Sequence, residues 1–328
     1  MKTVYIKQFG SSEDLEIIEI PDPILSNDSD VLVRVRAAGL NRADLLQVRG
    51  LYPPPPGYSQ NIPGLEFAGE VAALGDDVTG WQIGDRVFGI TAGEAQAEYL
   101  TIDRSLLVRI PENLSFTEAA AVPEAFITAH DALFSRGNLK HGETLLIHAV
   151  GSGVGLAGSQ IGKANGSMVI GTSRTADKLD RCFEYGLDHG ISTADGIDFA
   201  EQISDITKGR GVDVILDLVG GAYFPQNLAS LAVKGRMILV GLTAGRTAEF
   251  DLGLTLQKRL TITGTVLRGR STAEKVEATH LFADEVVPLL ADGTIRPNLD
   301  RVFAAKDVIA AYEYLGSNES FGKVVLEF

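Results

Sequence analysis

The sequence predicts an α/β protein with two domains, one built on a doubly wound parallel sheet and the other rich in short strands. Three observations carry this. Thr144 to Arg174 reads as strand, glycine turn, helix and strand; strands alternate with helices from about residue 123 to 265; and before 122 short strands are separated by Gly and Pro turns. At 328 residues, 45% hydrophobic and 22% charged, the chain is long enough for two cores.

The glycine unit is the most informative stretch. Leu145-Leu146-Ile147 is a short apolar run, Gly151, Gly153 and Gly155 punctuate the turn, Val154 to Asn165 repeats apolar residues at helical spacing, and Gly166 closes the helix before Met168-Val169-Ile170. Such a turn brings backbone close to a pyrophosphate and aims the helix N-terminus at it. A literal G-x-G-x-x-G falls on Gly153, Gly155 and Gly158, late and inside the helix; a turn beginning at Ala149 gives instead A-x-x-S-x-x-G through Ser152 and Gly155. The competing reading is a glycine-rich helix start with no ligand, and the flanking strands favour a dinucleotide. Where an NAD site places Asp or Glu after the second strand, this chain has Thr172-Ser173-Arg174, with Lys178 a turn further on. Arg174 and Lys178 fit either a solvated helix start or, beside hydroxyls, a 2′-phosphate, and the missing carboxylate favours NADP(H) over NAD(H).

The remaining elements follow in order. Expected strands before 122 are Thr3 to Ile6, Leu15 to Ile20, Val31 to Ala37, Ala68 to Leu74 and Arg86 to Phe88, as small barrels require. Asn41-Arg42-Ala43-Asp44 leads through a short helix to Tyr52 and the Pro53 to Pro56 run, which suits either a loop walling a cleft or a surface turn. Glu66 lies among apolar neighbours and reads as a satisfied structural acceptor rather than a catalyst. Later elements are a helix to Tyr185 ended by Gly186, a strand near Ile191, a helix Phe199 to Thr207, and strands Val212 to Leu216, Met237 to Val240 and Leu260 to Gly264. Ligands of such sheets sit beyond the C-terminal strand ends, where Val219-Gly220-Gly221, Gly241-Leu242 and Gly264 to Arg268 fall. The tail reads as one long helix through Val286, Val287, Leu289 and Leu290, then a strand Lys323 to Phe328 returning to the first domain. The expected domains are 1–122, 123–265 and a return over 266–328, with a cleft between the two.

Composition narrows the partners. A net charge of −14 with no basic stripe argues against nucleic acid, no apolar run approaches a membrane span, and MKTVYIKQFG lacks the apolar core of a secretion signal, so cytoplasmic residence is the expectation. Cys182 is the only cysteine, which leaves no disulfide and no thiolate cluster for zinc.

The stretches NRADLLQVRGLYPPPPG, GLEFAGEV, GDRVFG, AQAEYLTI, AAAVPEAFITA, LLIHAVGSGVG, GVDVILDLVGG, GRMILVG and FGKVVLEF span the chain in one order. Together they resemble the medium-chain dehydrogenase/reductase superfamily, in its zinc-free quinone oxidoreductase branch of the ζ-crystallin and p53-inducible type. The resemblance implies a GroES-like β-barrel catalytic domain plus a Rossmann cofactor domain, and NADPH-dependent reduction of quinones or similar electron-poor acceptors. Zinc-dependent relatives carry Cys where this chain has Asn41 and His where it has Leu65, so no metal is expected. By resemblance, Asn41 and Tyr52 line the acceptor site, and Asn41 also borders the cofactor. The other implied cofactor contacts are Thr128, Gly151, Ser152, Gly153, Val154, Gly155, Ser173, Arg174, Lys178, Gly241, Leu242, Leu267, Phe321, Gly322 and Lys323. Some relatives have tyrosines where this chain has Leu46 and Thr193. Alternatives are reduction of an enone or alkenal double bond and, from another class, a crystallin-like or RNA-binding role. The resemblance also implies a homodimer, with Leu260 to Val266 the candidate edge strand.

Overall fold

In a computed structural model covering residues 1–328, the glycine unit lies at the centre of a six-stranded parallel sheet. The strands run across it as His189–Ser192, Met168–Ser173, Thr144–Ile147, Val212–Asp217, Leu231–Leu239 and Thr261–Gly264. Strand order reverses beside Thr144–Ile147, at the crevice where open α/β sheets hold ligands. Buried Leu146, Ile170, Ile191, Ile215 and Met237 pack with Phe199, Ile203 and Leu228 of the covering helices. The helix Gly153–Ala164 can lie close on its strand because Gly162 stands where a Cβ would come within 2.6 Å of Leu145 Cδ2.

A seven-stranded, mostly antiparallel sheet organises the other unit, with Asp30–Leu40 at its heart. That strand pairs with Lys323–Glu327, Glu66–Leu74 and Tyr99–Asp103, which brings the C-terminal strand beside residues nearly 300 positions earlier. Arg86–Ile90 and Leu107–Arg109 continue the sheet on one side and Leu299–Ala304 on the other. Lys2–Ile6 and Leu15–Glu19 form a separate hairpin. The first unit comprises Met1–Ile127 with Leu267–Phe328 and the second Thr128–Val266, so the division falls inside the helix Pro123–His130.

The single long tail helix is corrected. The structure has Thr272–Glu285 and Val287–Ala291, because Pro288 at the second helix's first turn cannot donate the backbone hydrogen bond that would continue the first. No helix is long and apolar enough to cross a membrane.

Candidate active site

In the Thr128–Val266 unit the turn after Thr144–Ile147 begins at Ala149, whose φ of 49° places it in the left-handed region. Ser152 caps the helix Gly153–Ala164, accepting at Oγ from the Gly155 amide at 3.2 Å. Of the two sequence patterns, the one running Ala149, Ser152, Gly155 therefore describes the turn. A Cβ on Gly155 would lie 2.6 Å from the Val150 carbonyl oxygen and 2.7 Å from that of Ala149, so glycine is required for this close approach. Gly151 is buried, whereas Ser152, Gly153 and Val154 are half-buried at the helix start, where no acidic side chain opposes an anion.

The next strand, Met168–Ser173, ends on buried Ser173, whose Oγ accepts from the Thr175 amide at 3.1 Å. Arg174 is exposed and Lys178 half-buried one turn on. Thr193 lies beside them, its amide donating to the Ser173 carbonyl at 2.9 Å, but its hydroxyl already accepts from Tyr223 Oη at 2.8 Å. Gly241 packs on the preceding loop, where a Cβ would meet the Leu218 carbonyl at 2.5 Å, and Leu242 is exposed beside it. Thr128 is half-buried in the helix Pro123–His130.

A buried polar string ties these strand ends together. Asp217 accepts from the Val219 and Gly220 amides and from Asn227 Nδ2; Asn227 Oδ1 faces His148 Nε2 at 2.6 Å, and Thr172 Oγ1 lies 2.8 Å from His148 Nδ1. Because Asn227 donates to Asp217, its carbonyl accepts from His148 Nε2–H, leaving Nδ1 to accept from Thr172. Burial holds the His148 imidazole below its ordinary pKa, against the opposing pull of Asp217. The imidazole is therefore neutral and serves as a cross-link beneath the turn.

The unit Met1–Ile127 with Leu267–Phe328 holds a denser cluster, and strand register builds it. Pairing of Val324 with Leu40 sets Lys323 beside Asn41, and pairing of Phe67 with Ala38 brings Glu66 alongside. Gly39 makes room, since a Cβ there would overlap Glu66 Oε1 and the Ala120 carbonyl. Lys323 Nζ donates to the Leu40 carbonyl at 2.8 Å, Asn41 Oδ1 at 2.6 Å and Glu66 Oε1 at 2.5 Å, which uses all three of its protons. Asn41 Nδ2 donates to Glu66 Oε1 at 2.8 Å, and the Glu124 amide donates to Glu66 Oε2 at 2.8 Å. Glu66 is fully buried and satisfied on both oxygens. Lys323, named from resemblance as a cofactor contact, thus spends its ammonium inside this cluster. Gly322 precedes it at φ 93°, and Phe321 and Leu267 are buried.

Asp44 and Arg268 extend the cluster. Buried Asp44 accepts from the Asn41 amide at 2.7 Å and the Gly64 amide at 3.2 Å, and burial raises its pKa to about 6 despite those bonds. Arg268 donates to Ala92 O, Tyr52 O and Gln47 Oε1, and its guanidinium lies 5.1 Å from the centre of the Tyr52 ring. Tyr52 is half-buried, and burial, reinforced by the charge of Glu124, raises its pKa. Sequence reasoning placed Arg268 only at a sheet end and left Glu124 unmarked. The signal for Glu124 was a carboxylate inside the otherwise apolar run Ala119 to Ile127.

Residues 27–129 match the alcohol dehydrogenase GroES-like domain, and 153–284 match the family described as zinc-binding dehydrogenase. A quinone oxidoreductase of Pseudomonas aeruginosa is 33% identical over 97% of this chain and 98% of its own. Quinone oxidoreductase-like protein 2 of Mus musculus is 31% identical over 96% and 89%. The Escherichia coli quinone oxidoreductase complexed with NADPH superposes with a TM-score of 0.87 at 29% identity, covering all of both chains. The chain also matches 14% of the length of a highly-reducing polyketide synthase of Aureobasidium melanogenum, at 31% identity over 98% of itself. The CurK enoyl reductase superposes at TM-score 0.85 with 27% identity over 99% and 98% of the two chains. The chain belongs to the medium-chain dehydrogenase/reductase family, within its zinc-free quinone oxidoreductase type.

Proposed function

We propose that the chain is an NADPH-dependent, zinc-independent quinone oxidoreductase. The observation that carries this reading is the Asn41 cluster: where zinc-dependent relatives are expected to offer a thiolate, this chain has a carboxamide committed to Glu66 and Lys323. The second Nδ2 proton of that carboxamide and the charge of the neighbouring Lys323 ammonium support acceptor binding by a hydrogen bond and charge rather than through a Lewis acid. Full-length similarity to quinone oxidoreductases agrees with it.

The residues fit NADP(H). The close approach at Gly155, the acid-free helix start and a strand end carrying Ser173 and exposed Arg174 instead of a carboxylate suit a pyrophosphate and a 2′-phosphate. Gly151 to Gly155 would hold the pyrophosphate, and Ser173, Arg174 and Lys178 the 2′-phosphate. The bound nicotinamide supplies a hydride. The protein orients the acceptor, with Asn41 and Tyr52 placed to meet its oxygen.

A second reading, reduction of an activated carbon–carbon double bond, is favoured by the similarity to the polyketide synthase segment and to CurK. Steady-state assays with NADPH and either 1,4-benzoquinone or a 2-alkenal separate the two. The quinone is expected to give the higher kcat/KM; a strong preference for the alkenal would replace the first reading by the second.

Assembly as a homodimer fits the sheet edge. Thr261–Gly264 is a terminal strand paired on one side only, flanked by exposed Leu252, Leu256 and Val266. Light scattering at micromolar concentration is expected to give twice the 35.0 kDa chain mass, and a monomer mass would refute the dimer.

A further inference from the structure

The cluster around Asn41 contains one carboxyl that is neither hydrogen-bonded nor freely solvated. Glu66 takes its hydrogen bonds from Asn41, Lys323 and the Glu124 amide, while Asp44 takes its from the Asn41 and Gly64 amides. Lys323 is saturated by Leu40, Asn41 and Glu66, and Arg268 is turned toward Ala92, Tyr52 and Gln47. Glu124 is anchored through its backbone, yet its carboxyl forms no hydrogen bond and no ion pair. It is half-buried, so the carboxyl is shielded without being sealed off.

We infer that Glu124 is the proton donor to the reduced acceptor, its carboxyl standing beside Tyr52 in the cluster that receives the acceptor. This role rests on the reductase reading above and adds the proton source that reading lacks.

The charges facing Glu124 come from several elements. Glu66 on the strand Glu66–Leu74 and Asp44 on the helix Arg42–Val48 disfavour its ionisation; Lys323 on the C-terminal strand and Arg268 favour it. Lys275 on the helix Thr272–Glu285 and Tyr52 complete the surroundings. Burial dominates, followed by the Glu66 charge, and together they push the Glu124 carboxyl up to about 8. At neutral pH the group is a carboxylic acid with a proton to give, the state a donor near its working pH needs. Asp44, held near 6 and bound by two amides, lacks that freedom.

The step balances. A bound reduced nicotinamide would supply two electrons as hydride, and the Glu124 O–H bond would break as a new O–H bond forms on the acceptor oxygen, or a C–H bond on the α-carbon of an alkene. Glu124 is left as carboxylate and regains its proton from solvent, so the acceptor gains two hydrogens and NADP⁺ is released.

The test compares wild type with Glu124→Gln, which keeps the shape and removes the acid. In single turnovers of NADPH with 1,4-benzoquinone and with a 2-alkenal, the wild-type rate is expected to fall as pH rises through about 8. The variant is expected to be slower by about 100-fold at pH 7 and to lose that fall. Infrared difference titration of the cofactor-free protein, a readout independent of turnover, is expected to show a protonated carboxyl band that disappears near pH 8 and is missing from the variant. A variant rate within twofold of wild type, or no such band, overturns the assignment. Should the variant not fold, a flat wild-type profile from pH 6 to 9 overturns it equally. Turnover of neither acceptor by wild type sinks the reductase reading and the donor role together, whereas turnover with an unaffected variant sinks the donor role alone.

Discussion

Lys323 shows how one side chain in the last strand controls a site begun at Asn41. Lys323 is 5% exposed, and its ammonium balances fully buried Glu66 at 2.5 Å. Removing one member of such a pair leaves the other charge buried and uncompensated. Lys323→Met is expected to cost about 3–5 kcal/mol of stability, measured by denaturant unfolding. Replacing Glu66 by Gln and Lys323 by Met together should recover much of that loss, because the orphaned charge is then gone. A double variant as unstable as the sum of the singles would show that packing, not charge, sets the cost. The sequence gives half of this arrangement: Glu66 among apolar residues reads as a satisfied acceptor, and the structure supplies its donors. Its partner was out of reach, since only strand register brings residue 323 beside residue 41. Glu124 stayed hidden for a similar reason, as its acidity depends on Glu66, Asp44 and burial rather than on its neighbours in sequence.

At the scale of elements, the glycine turn was readable because its constraints are local. Helical periodicity, Gly166 after the last turn with φ 81°, and apolar strands on either side all point the same way. The start of the pattern remained open between two positions until the left-handed Ala149 settled it. The tail failed for the opposite reason: an apolar stripe continues through Val286 to Leu290, but Pro288 interrupts the backbone pairing on which a single helix depends. The strands Tyr99–Asp103, Leu107–Arg109 and Leu299–Ala304 also escaped notice, being short and held in place by long-range pairing. Thr193 is instructive as well. Its hydroxyl accepts from Tyr223, a tie from the far side of the sheet that the residues around Thr193 do not announce.

For the whole molecule, the two units divide the chemistry that the family performs. The parallel sheet carries the glycine turn proposed to hold the nucleotide, with the neutral His148 link beneath it. The antiparallel unit gathers Asn41, Glu66, Glu124, Arg268 and Lys323 into one charged cluster from segments hundreds of residues apart. The most direct test of this account is stopped-flow oxidation of bound NADPH by 1,4-benzoquinone, with NADH in parallel, in wild type and Arg174→Ala. Wild type is expected to oxidise NADPH rapidly and at least tenfold faster than NADH at equal subsaturating concentration, about the effect of 1.4 kcal/mol of differential binding. Arg174→Ala should narrow that gap by weakening NADPH alone. Equal use of both cofactors by wild type would contradict the 2′-phosphate assignment, and no oxidation of either would contradict the reductase itself.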